Sequence, residues 1–342
     1  MTLLQPVRIV GGGLAGLSLG IALGRSGVPT EIFEADEYPR HRVCGEFICG
    51  LSEATIEKLG IGSAFTGAGS HRSVTWFLRD RAVRRQALPA PARAISRFAL
   101  DARLAAMFVA GGGKLNTHTR FVTPAGRSGW VDTAGRKLSG SSPWLGLKLH
   151  ARNLVTADDL ELHLGDEAYV GLSSVEDGWI NVCGLFRRRP GLHLDREQAL
   201  SAYLRACGLS NLAARLASAE IRPDSHKAIA GIAVNRRVPP AAGLHLGDAC
   251  AMIPPFTGNG MAMAFIGSAL ALDPLVAWAR NDHSWNHTVR GINEDLGREF
   301  RLRLGGAALL HPLFLNRTLQ RGLGAAARTG CLPLASMYRL LH

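Results

Sequence analysis

The stretch VRIVGGGLAGLSLGIALGRSGVPTEIFEAD, residues 7 to 36, decides the fold. Val7 to Val10 form a short β-rich run that reads as a buried strand. Gly11, Gly13 and Gly16 follow as GxGxxG, and apolar residues at helical spacing continue until Gly27 and Pro29 stop the helix. Thr30 to Ala35 then returns to strand character. Each glycine answers one physical demand: a tight turn at Gly11, close approach of backbone to a diphosphate at Gly13, and close packing of helix on sheet at Gly16. The helix N-terminus behind them stabilises negative charge. Glu34 ends the second strand, 23 positions after Gly11, where a carboxylate accepts hydrogen bonds from ribose hydroxyls. The same acid argues against a 2′-phosphorylated dinucleotide in this site. The segment is a βαβ unit with a dinucleotide site, and NAD and FAD both remain open on this motif.

Working outward, the chain has 342 residues, 47% hydrophobic and 6% aromatic, enough for one large or two medium domains with a substantial core. The net charge of +12 comes almost wholly from arginines that form no dense run and are not interleaved with aromatics, which argues against nucleic-acid binding. Cys44, Cys49, Cys183, Cys207, Cys250 and Cys331 make no CxxC pair, so neither a metal site nor a disulfide framework is expected. No His/Asp/Ser order or HExxH helix points to hydrolysis. Gln5, Pro6 and Arg8 interrupt the first apolar residues, so no cleavable signal is expected and the cytoplasm is the expected compartment. The longest apolar run, 262 to 279, is broken by Asp273 and Pro274 and reads as a buried helix.

Between these landmarks, LSEATIEKLG reads as a helix capped by Ser52, and SVTWFLRDRAVRRQAL as a hairpin turning at Arg79 to Arg81. ISRFALDARLAAMF is helical. From Trp144 to Leu185 strand-type patterns dominate and predict an antiparallel sheet. Residues 196 to 218 read as helix, 243 to 249 as a strand entering a loop, and the remainder as mainly helical.

A second signature lies in GLHLGDACAMIPPFTGNGMAMAF, residues 243 to 265: Gly247 and Asp248 at a strand end, a Pro-Pro turn, then Gly258 and Gly260 opening a helix. With PRHRVCGEFICGLSEATIEKLG at 39 to 60 and ISRFALDARLAAMF at 95 to 108, the sequence resembles the FAD-dependent oxidoreductases of the p-hydroxybenzoate hydroxylase and geranylgeranyl reductase superfamily, which also includes flavin-dependent halogenases. That resemblance implies an α/β Rossmann-type FAD/NAD(P)-binding domain with an α+β insert, an antiparallel-sheet substrate domain and a helical C-terminus. The expected division is 1–70, 92–142 and 236–290 for FAD, 71–91 and 143–235 for the substrate sheet, and 291–342 for a helical cover. It implies non-covalent FAD with NAD(P)H as electron donor. Asp248 would bind the ribityl chain, Gly258 and Gly260 would lie beside the isoalloxazine, Arg42 and Arg97 near the phosphates, and Asp101 would stabilise the helix of Arg97. As plain chemistry, Arg42 and Arg97 are also cations suited to an anionic diphosphate.

The chain departs from that pattern in the middle. Where the hydroxylases carry Asp-Gly, it reads WVDTAGRKLSG with Gly135 and Arg136. The halogenase Trp-x-Trp-x-Ile-Pro is absent, and GWINVCG stands where the archaeal reductases have an aromatic signature. Cys44 and Glu46 are the candidate catalytic groups. Cys44 reacts only if its pKa is lowered, and otherwise packs beside Gly45. Glu46 serves as acid or base if its pocket raises its pKa. His150 and His163 lie in the predicted sheet, where alternation turns a residue inward.

The primary functional expectation is a monooxygenase that hydroxylates a small aromatic or polyketide-like apolar substrate. The alternative is a reductase or dehydrogenase of an apolar olefin, and the third reading is a flavin-binding scaffold without turnover. Arg301 to His342 carries six arginines and no acid, which suits either a helical cover or peripheral contact with an anionic membrane.

Overall fold

Val7 and Ile9 are fully enclosed, because their strand β1 (Val7–Val10) runs parallel between β2 (Thr30–Phe33) and β7 (Trp130–Asp132). Helix α1 (Leu14–Arg25) makes the crossover from β1 to β2, and β6 (Lys114–Asn116) completes a parallel sheet of order β6-β2-β1-β7. The computed structural model describes residues 4–124, 126–136, 138–192, 195–234 and 243–329. Cys331, the end of the expected helical cover, Lys137 and the boundary drawn at 235/236 lie outside the described residues.

α1 is buried on almost every side, so its neighbours approach closely. A Cβ on Gly20 would stand 2.8 Å from Phe108 of α3 (Arg97–Ala110). The strand expected over 243–249 shrinks to one parallel bridge, His245 to Asp132. Gly247 adopts the left-handed conformation at φ 60 and turns the chain into a tight 3-10 turn, which ends the extension.

The second sheet contains β3 (Phe47–Ile48), β4 (Gly69–Leu78), β5 (Arg81–Ala94), β8 (Trp144–Arg152), β9 (Leu160–Gly165), β10 (Ala168–Ser174), β11 (Ile180–Arg187) and β12 (Glu220–Ile221). Its order is β12-β8-β11-β10-β9-β4-β5-β3, with β13 (Lys227–Ala230) also on β8, and its pairs are antiparallel except β4 with β9. Phe47 and Ile48, inside a stretch read as part of the nucleotide domain, join this sheet through β5. Side chains alternate across it. Leu147, Leu149, Val170, Leu172 and Val182 pack against α4 (Arg196–Ala206) and α5 (Ser210–Ala217), while Lys148, His150, Asn181 and Ser173 occupy the other face. The single helix read over 196–218 is two, because Gly208 at φ 77 breaks it.

Ser52 caps α2 (Glu53–Leu59), its hydroxyl accepting from the Thr55 amide, as the sequence indicates. The apolar run forms α6 (Gly260–Ala279). It is long and apolar enough to cross a membrane, yet it packs as a core helix among α1, α2 and α7 (Trp285–Leu315). The Ser268 hydroxyl donates to Ala15 O of α1 at 2.9 Å, drawing α6 onto the glycine turn. α8 (Arg317–Arg328) follows α7 and rests on β5.

Candidate active site

The glycine turn shapes one end of a cavity of about 520 Å³. Gly11 sits at φ 103, and a Cβ there would lie 2.4 Å from Thr133 O. A Cβ on Gly16 would lie 2.1 Å from Gly11 O. Gly13 differs: no atom lies within 4 Å of where its Cβ would be, and the residue lines the cavity. Gly13 is also the N-cap of α1 and makes no side-chain capping bond, so the first amides of the helix face outward without an acceptor from a cap. Two glycines close the turn and the third leaves room for a ligand.

Glu34 is buried beside this turn. Its Oε2 accepts from the Gly12 amide at 2.7 Å and pairs with Arg40 at 2.9 Å, and its Oε1 accepts from the Asp36 amide at 3.0 Å. Burial opposes ionisation, yet the Arg40 partnership outweighs it and holds the carboxyl below its ordinary range. Arg42 spans Glu34 at 3.8 Å and Asp101 at 3.5 Å, and lines the cavity. Arg97 lines it too, fixed by two bonds to the wholly buried Asp101 at 2.7 and 2.8 Å. Arg40 also pairs with Asp36 at 3.1 Å, and its Nε is buried without a hydrogen-bond acceptor among the described residues, so three guanidinium groups, Arg40, Arg42 and Arg97, line this end of the cavity. Buried donors of this kind fit an anionic ligand.

The far wall comes from a distant part of the chain. Gly247, Asp248, Gly258 and Gly260 all line the same cavity, with Met252, Ile253 and Pro255 between them. Gly258 at φ 67 has Phe47 against it, where a Cβ would stand at 2.2 Å. α6 starts here without a side-chain cap, presenting a second helix N-terminus to the cavity. Gly135 and Arg136 of the divergent middle motif also line it, and Arg136 pairs with Asp248 at 3.6 Å and donates to Val43 O at 3.2 Å. The substituted motif thus places a cation beside the carboxylate of the second signature.

The expected catalytic pair is a different matter. Cys44 lines the cavity, but burial raises its pKa, so it is a packed thiol and not a lowered-pKa nucleophile. Glu46 is fully buried in the left-handed region at φ 57. Three bonds hold it: Lys148 Nζ at 2.9 Å, His150 Nε2 at 2.6 Å and the Arg97 amide at 3.0 Å. Burial opposes its charge, but the Lys148 ammonium and His150 outweigh this and hold the carboxyl down at about 2. The condition for an acid role, a raised pKa, is therefore not met. Glu46 is instead a positioning residue that ties the Cys44–Phe47 wall to the sheet.

Lys148, which the sequence reading passed over, also meets His41 Nδ1 at 3.3 Å. His41 lines the cavity, stacks on Phe98 at 4.6 Å and is held neutral, its pKa lowered to about 3 by burial and then by Lys148. Buried lysine is the signal that could have found this cluster, since it needs a partner. His163 is buried elsewhere against Glu161 at 2.7 Å, away from the cavity lining.

No protein-family model and no curated protein sequence matches the chain. Solved structures match its fold over nearly the whole length. HpxO of Klebsiella pneumoniae, complexed with FAD and uric acid, is similar at TM-score 0.75 and 17% identity, covering 98% of this chain and 96% of that one. PqsL of Pseudomonas aeruginosa in complex with 2-aminobenzoylacetate gives 0.73 and 16%, covering 93% and 98%. The flavin-dependent brominase Bmp2 gives 0.75 and 16%, covering 98% and 92%. The chain has the fold of the FAD-dependent monooxygenases and halogenases: a Rossmann-like parallel sheet, a mixed second sheet and C-terminal helices.

Proposed function

We propose that this cavity binds FAD without a covalent link and that the protein is a monooxygenase of a small aromatic or polyketide-like substrate, reduced by NAD(P)H. One observation carries the reading: two glycine-bearing turns far apart in sequence, Gly11–Gly16 and Gly247–Gly260, line a single cavity with buried arginine donors around it. The residues fit the cofactor. Gly13 leaves space for the diphosphate, Arg42 and Arg97 neutralise it, Glu34 accepts from ribose, and Asp248 accepts from the ribityl chain. Bound FAD supplies the redox and oxygen chemistry that this chain's side chains lack. The chain's own part is to orient and to exclude water. Met252, Ile253 and Pro255 supply an apolar wall, and the α6 N-terminus stabilises negative charge beside it.

HpxO with uric acid and PqsL with 2-aminobenzoylacetate support a small ring-bearing substrate. The ionised, fully bonded Glu46 and the neutral Cys44 weigh against an olefin reductase that takes its acid from the Cys-Gly-Glu segment. The test is the visible flavin spectrum of the purified protein, followed by oxygen uptake with NADH or NADPH across aromatic compounds. Substrate-stimulated uptake is the expected outcome. Flavin bound but no stimulated uptake sinks the monooxygenase and favours reductase or scaffold. Gly13→Ser separates the cofactor claim from stability: serine is a good N-cap in open space, so the melting temperature of the apoprotein holds while flavin binding is lost. Retained flavin in that variant would remove Gly13 from the site.

A further inference from the structure

α7 and α8 present two unlike faces. Inward, Phe300, Leu304, Leu310 and Phe314 are buried and cover the core. Outward, Leu302 is 66% exposed and Leu309 is 74% exposed. Seven positions apart, they fall on one stripe of α7. Exposed Arg298 and Arg301 border that stripe, and on α8 exposed Arg317 and Arg321 share a face one turn apart, with the half-exposed Leu319 on another side of the helix. From Phe300 to Arg328 the chain has five arginines and no acid. The nearest acids of α7 are engaged, Asp295 with Arg298 at 2.5 Å and Glu299 with Arg303 at 2.7 Å. α8 packs on the β4–β5 hairpin, with Gly324 tight against Leu78, and exposed Arg81 and Arg84 extend the basic surface there.

A single exposed leucine is ordinary on a soluble protein. Aligned leucines on an arginine-bearing surface whose nearest acids are paired with arginines are the pattern of an interfacial element. We propose that the outer face of α7 and α8 docks this protein on an anionic lipid surface. Leu302 and Leu309 enter the headgroup–acyl boundary, and Arg301, Arg317 and Arg321 meet the lipid phosphates. A protein partner would be better served by a continuous apolar patch than by leucines set among arginines. The inference is independent of the flavin reading.

The test is sedimentation of the full-length purified protein with phosphatidylcholine vesicles, with and without phosphatidylglycerol, at low and high salt. Binding is expected only with phosphatidylglycerol and is expected to fall as salt rises. Arg317→Gln and Arg321→Gln each weaken it roughly fivefold. Leu302→Asp with Leu309→Asp abolishes it and leaves the melting temperature and any bound flavin unchanged, because both side chains face solvent. Equal binding to neutral vesicles, no binding to anionic ones, or indifference to these substitutions overturns the proposal. So does a concentration-dependent dimer that Leu302→Asp dissolves, which would give the face to a second copy, or tighter binding to duplex DNA than to vesicles.

Discussion

Glu34 lines the cavity and Glu46 lies behind its wall, both buried and both ionised, yet they are held by different kinds of structure. The surroundings of Glu34 are local: the Gly12 and Asp36 amides and Arg40 all lie within the opening βαβ unit and the segment after it. The surroundings of Glu46 are assembled from afar, with Lys148 and His150 on β8 and the Arg97 amide at the start of α3. Local partners are already near one another in the unfolded chain, whereas distant ones meet only when the sheet closes on the nucleotide half. Glu34 therefore belongs to the cavity wall built by the opening unit, and Glu46 to the joint between the second sheet and the nucleotide half.

Substituting each carboxylate is the sharpest way to break this contrast. Glu46→Gln leaves the Lys148 ammonium buried without its counter-charge, and the expected loss is about 3–5 kcal/mol of unfolding free energy in chemical denaturation. Adding Lys148→Met in the same chain removes the stranded charge and should recover a large part of that loss. If Glu46→Gln costs less than about 1 kcal/mol, as an exposed pair would, Glu46 does not hold the joint.

Glu34→Gln is expected to act on the ligand more than on the fold. Losing charge-assisted bonds of about 1.5–3 kcal/mol weakens FAD retention by roughly ten- to a hundredfold, read by titrating flavin into the apoprotein. A Glu34→Gln protein that holds flavin as tightly as the parent would remove the acid from the site.

The smallest effect is in pH. Burial lowers the pKa of His311 to about 4 in the folded protein, below its ordinary 6.5. The unfolded chain then binds the proton first, so the contribution of this histidine is full above pH 6.5 and lost as pH falls toward 4. Glu46, held at about 2 against 4.5, adds a second acid-labile part, present above 4.5 and lost as pH falls toward 2. His311→Leu should flatten the upper limb of the acid unfolding profile and leave the lower one. An unchanged profile would place His311 in contact with solvent.

Much of the nucleotide half was legible in residue types. Gly11, Gly13 and Gly16 each have one steric reason to be glycine, and Ser52 and Gly60 mark the ends of α2 without help from the rest of the chain. The second turn at Gly247–Asp248 was legible as a turn, though its preceding strand was overread, since one residue of bridging suffices where Gly247 bends the chain. The roles of Cys44 and Glu46 were not legible. A sequence shows that a glutamate follows Cys-Gly, but its pKa depends on which charges the fold brings to it, and those came from β8.

By itself the sequence determined the backbone geometry of the opening turn, the βαβ unit and the expectation of a bound dinucleotide, because local sterics and helix termini act over a few residues. Only the tertiary structure decided that Arg136 faces Asp248, that Lys148 neutralises Glu46, and that two distant glycine turns share one cavity. Those contacts are set by strand register, and register is a property of the whole sheet.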